Sequence, residues 1–168
     1  MQNLKSPLPK RKRKRLPDFY YGQNGSYFIT ICTKNRACLL GSIPVGMADR
    51  CHPQVCLTKI GKIAEKYVKS ISSTYNQVTV DHYVIMPNHI HLLLTLSSEV
   101  GRQESACPTI SNIVRAFKIM VGKEVKIPLF QASFYDHVIR NKEDYQTIIT
   151  YIENNPLQWD LDRFYQKG

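Results

Sequence analysis

The stretch VTVDHYVIMPNHIHLLLTL, residues 78–96, decides how this chain is read. Val78 to Met86 is β-branched and aromatic, Pro87-Asn88 is a turn signal, and His89 to Leu96 is a second run of strand formers. Two such runs joined by a short turn predict an antiparallel hairpin. Side chains along a strand alternate between faces, so Ile90, Leu92, Leu94 and Leu96 share one face and His89, His91, Leu93 and Thr95 the other. The first set is uniformly apolar and predicts the face turned toward packing helices. The two histidines then project together from the opposite face, near the start of their strand.

Upstream of the hairpin, Tyr27 to Thr33 (YFITICT) predicts another strand. Residues 58–76 predict a helix, because Ile60, Ile63, Ala64, Tyr67 and Ile71 recur at helical spacing with lysines between them. Downstream, residues 109–126 predict a second helix striped by Ile110, Ile113, Val114, Phe117 and Val121. Phe130 to Ile139 predicts a short strand, and Glu143 to Asn155 a third helix that Pro156 stops. The order β-α-β-β-α-β-α suits a split βαβ, ferredoxin-like α+β fold: an antiparallel sheet with helices on one face, followed by a C-terminal helix. Residues 41–57 and 97–108 lack periodicity and read as loops or insertions. Residues 1–18, rich in basic residues and proline, read as a flexible arm before a single domain over 19–168.

Composition bounds the function classes. A chain of 168 residues suits one domain with a real core. Its 43% hydrophobic and 21% charged content is that of a globular protein rather than a disordered one. No apolar run approaches the roughly 20 residues needed to cross a bilayer, and the N-terminal basic run is not followed by the apolar segment of a signal peptide. A cytoplasmic protein with no membrane partner is expected. Cysteines 32, 38, 51, 56 and 107 are odd in number and irregular in spacing, which favours reduced thiols. Cys51, His52 and Cys56 lack the paired CxxC of a zinc site, so zinc is not expected there. The net charge of +10 favours a polyanionic partner. Lys10, Arg11, Lys12, Arg13, Lys14 and Arg15 carry much of it, so the rest of the chain is only mildly basic. That run reads either as a solubilising or targeting tail or as an arm that binds phosphates without reading sequence.

Two local patterns could carry chemistry. His89 and His91, two residues apart on one strand face, can hold one metal ion; a bare His-x-His is common, and the alternative is two unrelated surface histidines on a sheet edge. Tyr151 and Asn155 are four apart on the last helix and share a flank of its apolar stripe of Tyr145, Ile148, Ile149 and Ile152. They could reach a cleft together, or be a half-buried tyrosine beside a capping asparagine. Taken together the patterns make chemical sense. Cutting a phosphodiester needs a nucleophile and neutralisation of charge on the phosphate oxygens. A tyrosine oxygen can attack phosphorus and form a covalent ester that keeps the bond energy for rejoining.

Three segments resemble the HUH-type single-tyrosine transposases of the insertion-sequence class, most of all their REP-associated tyrosine transposase branch. They are His89-Ile90-His91 within its Met86-Pro87-Asn88 context, Phe134-Tyr135-Asp136-His137-Val138-Ile139-Arg140-Asn141, and Tyr151-Ile152-Glu153-Asn154-Asn155-Pro156. A softer match covers Ser26 to Thr30 and Cys32 to Arg36, and the resemblance spans roughly residues 16–160. It implies that Tyr151 is the nucleophile and that His89, His91 and Asn155 hold a divalent ion, Mg²⁺ or Mn²⁺, with mixed imidazole and amide ligation suiting Mn²⁺ better. It implies a single-stranded DNA substrate beside a hairpin, a 5′-phosphotyrosine with a free 3′-hydroxyl, and a bacterial, nucleoid-associated setting. Lys118 and Arg140 join residues 10–15 as candidate DNA contacts, and a homodimer is compatible with the family. Tyr145, His82 and His137 read as structural, and Trp159 as a packing residue. Two rival readings stay open: a domesticated hairpin-binding protein that no longer cuts, and a metallohydrolase that uses water.

Overall fold

The computed structural model describes residues 24–43, 55–97 and 108–161. The arm of residues 1–18 and most of the two irregular segments lie outside the described residues, as do Cys51, His52 and Cys107.

The hairpin forms as the alternation requires. Strand β1 (Gly25–Cys32) precedes it, and a two-stranded ribbon of β2 (Gly41–Ser42) and β3 (Cys56–Leu57) closes the ends of the first irregular segment. Helices α1 (Lys59–Lys69) and α2 (Ile71–Thr74) follow, then the hairpin strands β4 (Val78–Ile85) and β5 (His89–Leu96). Helix α3 (Ile110–Val125), strand β6 (Tyr135–Ile139) and helix α4 (Lys142–Asn154) complete the order, and a 3-10 segment, Asn155–Leu161, continues directly from α4.

The main sheet runs β4-β5-β1-β6, with every neighbouring pair antiparallel. The strand between the first helix and the hairpin turn therefore sits at one edge, the last strand at the other, and β1 and β5 at the centre. This is the split βαβ arrangement expected of the sequence.

The core forms on one face of this sheet. Tyr27, Ile29, Ile31, Ile90, Leu92, Leu94 and Leu96 pack against Ala64 and Val68 of α1 and Ile110, Ile113, Val114, Phe117 and Val121 of α3. Each helix begins at a threonine whose hydroxyl accepts an otherwise unsatisfied backbone N–H: Thr58 from Gly61, and Thr109 from Asn112. Gly61 sits where α1 meets the chain leaving β1. A Cβ there would fall 1.9 Å from the Leu40 carbonyl oxygen, so only glycine permits this approach.

Two elements differ from the periodicity. The helix expected over 58–76 breaks at Ser70, because hydroxyls there compete for backbone carbonyls: Ser70 Oγ donates to Tyr67 O, and Ser73 Oγ and Thr74 Oγ1 both donate to Ser70 O. The strand expected from Phe130 begins only at Tyr135. Ahead of it, Phe130 makes an isolated bridge to Thr33, and Lys118 gathers the next carbonyls.

Helix α4 covers the opposite face of the sheet. Its start is capped by Asn141, whose side chain accepts from Asp144 N, and Asp144 in turn meets His137 Nε2 at 2.8 Å. Near its start the Tyr145 hydroxyl meets Asp81, a residue at the β-bulge in β4. Among the described residues no helix is long and apolar enough to cross a membrane.

Candidate functional site

The histidine face of β5 is where α4 lies. His89 and His91 are both fully buried, which the reading of them as surface histidines on an edge does not allow. Their strand is central, paired on both sides: His91 lies opposite Thr30 of β1 and Val84 of β4, and His89 opposite Cys32. Alternation puts both imidazoles on one side, and their ring centroids stand 4.5 Å apart.

Each ring is held through Nδ1. Thr30 Oγ1 lies 2.9 Å from His91 Nδ1, and Asn88 Oδ1 lies 2.8 Å from His89 Nδ1. Phe28 stacks on the His91 ring at 5.0 Å. Buried imidazoles need such partners, because a polar ring nitrogen out of water without one costs about 1–3 kcal/mol.

Helix α4 and the segment after it deliver three residues at four-residue spacing onto this pair. The Tyr151 hydroxyl lies 3.4 Å from His91 Nε2, and its ring meets those of both His91 and Phe28 edge-on. Trp159 lies over His89 with ring centroids 6.0 Å apart. Asn155 falls between these two anchors and is 2% exposed. The chain thus brings Tyr151 onto His91 and Trp159 onto His89 across some sixty positions of sequence or more, with Asn155 four residues from each of the two anchors.

The donor set can be weighed against a divalent ion. Among the described residues no three of the His, Cys, Asp and Glu side chains gather as a metal-binding group. Any ion here would rest on two imidazoles and an amide oxygen. With Nδ1 of each ring engaged by a protein oxygen, Nε2 is the nitrogen that would serve as ligand, which is the usual arrangement of a metal-bound histidine. Two neutral nitrogens and an amide fit Mn²⁺ better than Mg²⁺, which prefers oxygen.

The remaining site residues separate. Tyr145 does not share the histidine pair: burial, then the neighbouring Asp81 carboxylate, push its phenol pKa up. This agrees with its reading as structural. Lys118 is tied inward. Its Nζ donates to the carbonyls of Gln131 at 2.7 Å and Ser133 at 2.9 Å, sits 5.7 Å over the Phe134 ring, and has its pKa lowered to about 8 by burial. As placed, the amine fastens the segment between α3 and β6 to α3. Arg140 is exposed directly before α4, and residues 10–15 lie outside the described residues. Trp159 packs, as expected, and His137 anchors the α4 start through Asp144. The sequence reading missed Thr30 and Asn88 as partners of the two imidazoles. Strand register could have found the first, because Thr30 is the residue opposite His91.

The geometry defines an α+β domain with a histidine pair under a C-terminal helix that bears a tyrosine. A solved REP-associated tyrosine transposase, bound to a REP hairpin, shares this fold: TM-score 0.62 and 21% sequence identity, over 86% of this chain and 73% of that one. The chain belongs to the same family as an uncharacterized protein of Haemophilus influenzae, to which it is 33% identical over 174 residues, 92% of this chain and 93% of the relative. No family model matches the sequence.

Proposed function

We propose that this protein is a transposase-type DNA strand transferase that cleaves and rejoins single-stranded DNA through Tyr151. The observation that carries the reading is the Tyr151 hydroxyl 3.4 Å from Nε2 of a fully buried His91, beside a second buried imidazole. A tyrosine that only packed would not need its polar end turned onto a histidine pair. The fold shared with a REP-associated tyrosine transposase bound to a REP hairpin supports a single strand next to a stem-loop as substrate.

In the step proposed, the Tyr151 oxygen bonds to phosphorus, the bond from phosphorus to the 3′-oxygen breaks, and the phenol proton passes to solvent. The 3′-oxygen leaves as a free hydroxyl after taking up a proton, and the 5′ end stays on the protein as a phosphotyrosine. A 3′-hydroxyl returning to that ester rejoins the strand with no outside energy source. His89, His91 and Asn155 would hold the divalent ion, whose contribution is to neutralise charge on the phosphate oxygens. The arm of residues 10–15 and the exposed Arg140 supply phosphate contacts of the kind that position a strand without reading its sequence. Lys118 joins them only by giving up its backbone carbonyls. No observation favours the hydrolytic or the non-cutting reading over this one.

The test is incubation with a labelled single-stranded library carrying a fixed stem-loop and randomised flanks, with Mn²⁺ or Mg²⁺, resolved on a denaturing protein gel. A covalent protein–DNA band that Tyr151→Phe abolishes is the expected result. A band that survives in Tyr151→Phe moves the nucleophile elsewhere. Stem-loop binding with no band in either protein makes this a binding module, and cut DNA released without a band makes it a hydrolase.

A further inference from the structure

Asn88 closes the hairpin turn, yet it is fully buried and its side chain is held at both ends. Its Nδ2 donates to the Arg36 carbonyl oxygen at 3.1 Å, and its Oδ1 lies 2.8 Å from His89 Nδ1. Its own backbone carbonyl accepts twice from Thr33, from the N–H at 2.9 Å and from Oγ1 at 3.0 Å. The Arg36 carbonyl reaches this position through an uncommon backbone. Asn35 and Arg36 take φ values of 56° and 55°, both in the left-handed region that residues other than glycine seldom enter. Conformations of that kind persist only where the surroundings hold them, and they gather at functional sites.

We infer that Asn88 is a positioning residue that sets the tautomer of His89. A carbonyl oxygen only accepts, so the Asn88 group facing Arg36 must be the amide NH₂. The group facing His89 is then the amide oxygen, which also only accepts. His89 Nδ1 must therefore carry the proton, and Nε2 keeps its lone pair. A histidine ligates through an unprotonated nitrogen, so the Lys34–Arg36 turn, through Asn88, prepares Nε2 of His89 before any ion arrives. The order is Arg36 carbonyl, Asn88 amide, His89 ring, and it runs from the exit of β1 to the start of its neighbour β5. This inference deepens the proposed function and rests on its assignment of His89 as a ligand, but the tautomer itself is a property of the metal-free protein.

The test is nitrogen-15 NMR on the full-length, histidine-labelled chain without metal, at a pH well above the imidazole range, with His89 assigned by its loss in His89→Gln. The expected result is Nδ1 protonated and Nε2 unprotonated at His89. Asn88→Ala should release that preference and weaken Mn²⁺ binding, read by the free-ion EPR signal, by about 10–100-fold. Asn88→Asp keeps an acceptor oxygen toward His89 and should keep the Nδ1-protonated form, so the idea stays decidable if the alanine variant fails to fold. A wild-type His89 protonated at Nε2 overturns the inference, as does an unchanged tautomer in folded Asn88→Ala. A locked tautomer in a protein that binds no Mn²⁺ would leave the positioning role standing and remove the metal from the proposed function.

Discussion

Tyr151 reaches across the sheet to set its hydroxyl 3.4 Å from Nε2 of His91, and it is the turn of helix α4 over the histidine face that brings it there. The same helix begins with Tyr145 beside Asp81, the carboxylate that Thr95 of β5 donates to, and its 3-10 continuation brings Trp159 against His89. It therefore runs along β5 from the far end of the strand toward its start, and the two tyrosines meet different chemistry on the way. One faces a carboxylate, which disfavours a phenolate; the other faces an imidazole.

Tyr145→Phe is accordingly expected to leave covalent adduct formation intact. The hydroxyl it removes neighbours Asp81, which accepts from Thr95, so the carboxylate keeps a partner. The expected loss is one partly exposed hydrogen bond, about 0.5–1 kcal/mol, read as a shift of the urea midpoint. Adduct formation that falls in Tyr145→Phe as steeply as in Tyr151→Phe would mean that the two phenols act together.

Thr30→Val tests the second imidazole. Valine has the same shape and lacks the oxygen that lies 2.9 Å from His91 Nδ1. With a ring nitrogen left bare in a fully buried site, stability should drop by about 1–3 kcal/mol. Mn²⁺ affinity should fall about 10–100-fold through loss of ring orientation. Calorimetric titration with Mn²⁺ checks the second number, and an affinity equal to wild type would show that His91 is oriented by its ring contacts alone.

Much of this arrangement is legible in the sequence, for reasons specific to each part. The period of two in residues 89–96 separates the histidines from Ile90, Leu92 and Leu94 without any need of tertiary information. The stripes of α1 and α3 are legible because their apolar residues face a single partner. The side of the sheet that α4 takes is not, since a stripe of Tyr145, Ile148, Ile149 and Ile152 suits either face. The break at Ser70 is hidden because Ile71 continues the helical spacing while serine hydroxyls take the backbone carbonyls. Asn88 is hidden most completely. Beside Pro87 it reads as a turn former, and its side chain links its neighbour His89 to Arg36, which only the pairing of β1 with β5 brings close.

Lys118 gives the chain a pH dependence that can be isolated. Burial lowers its folded pKa to about 8 from an ordinary 10.5. The unfolded chain therefore holds a proton that the folded chain has released between those values, and stability should rise with pH across that window. Below pH 8 the cost of burying the cation is fully present. The full shift would correspond to at most about 3 kcal/mol, reduced by the water that reaches this partly exposed group. Raised pKa values at Tyr67, Tyr83 and Tyr145 pull the other way above pH 10, so the measurement is the difference between wild type and Lys118→Met. That difference should shift in favour of wild type from pH 8 to 10.5 by chemical denaturation. A difference that stays flat would place the amine in contact with water despite its carbonyl partners.

In the proposed function Asn155 is the ligand through which the metal preference can be altered. It is buried between the anchors of Tyr151 and Trp159, and a neutral amide there adds an oxygen but no charge. Asn155→Asp keeps the shape and supplies a carboxylate, the ligand that Mg²⁺ favours over imidazole. The variant should form the covalent adduct at lower Mg²⁺ concentration than wild type, and its advantage with Mn²⁺ over Mg²⁺ should shrink. Asn155→Leu, similar in volume and without a donor oxygen, should lose adduct formation with both ions while retaining stem-loop binding. The measurement is adduct yield against ion concentration for the three proteins. Equal yields for Asn155→Leu and wild type would remove the amide from the donor set, leaving two imidazoles too few for an ion without a ligand from the DNA itself.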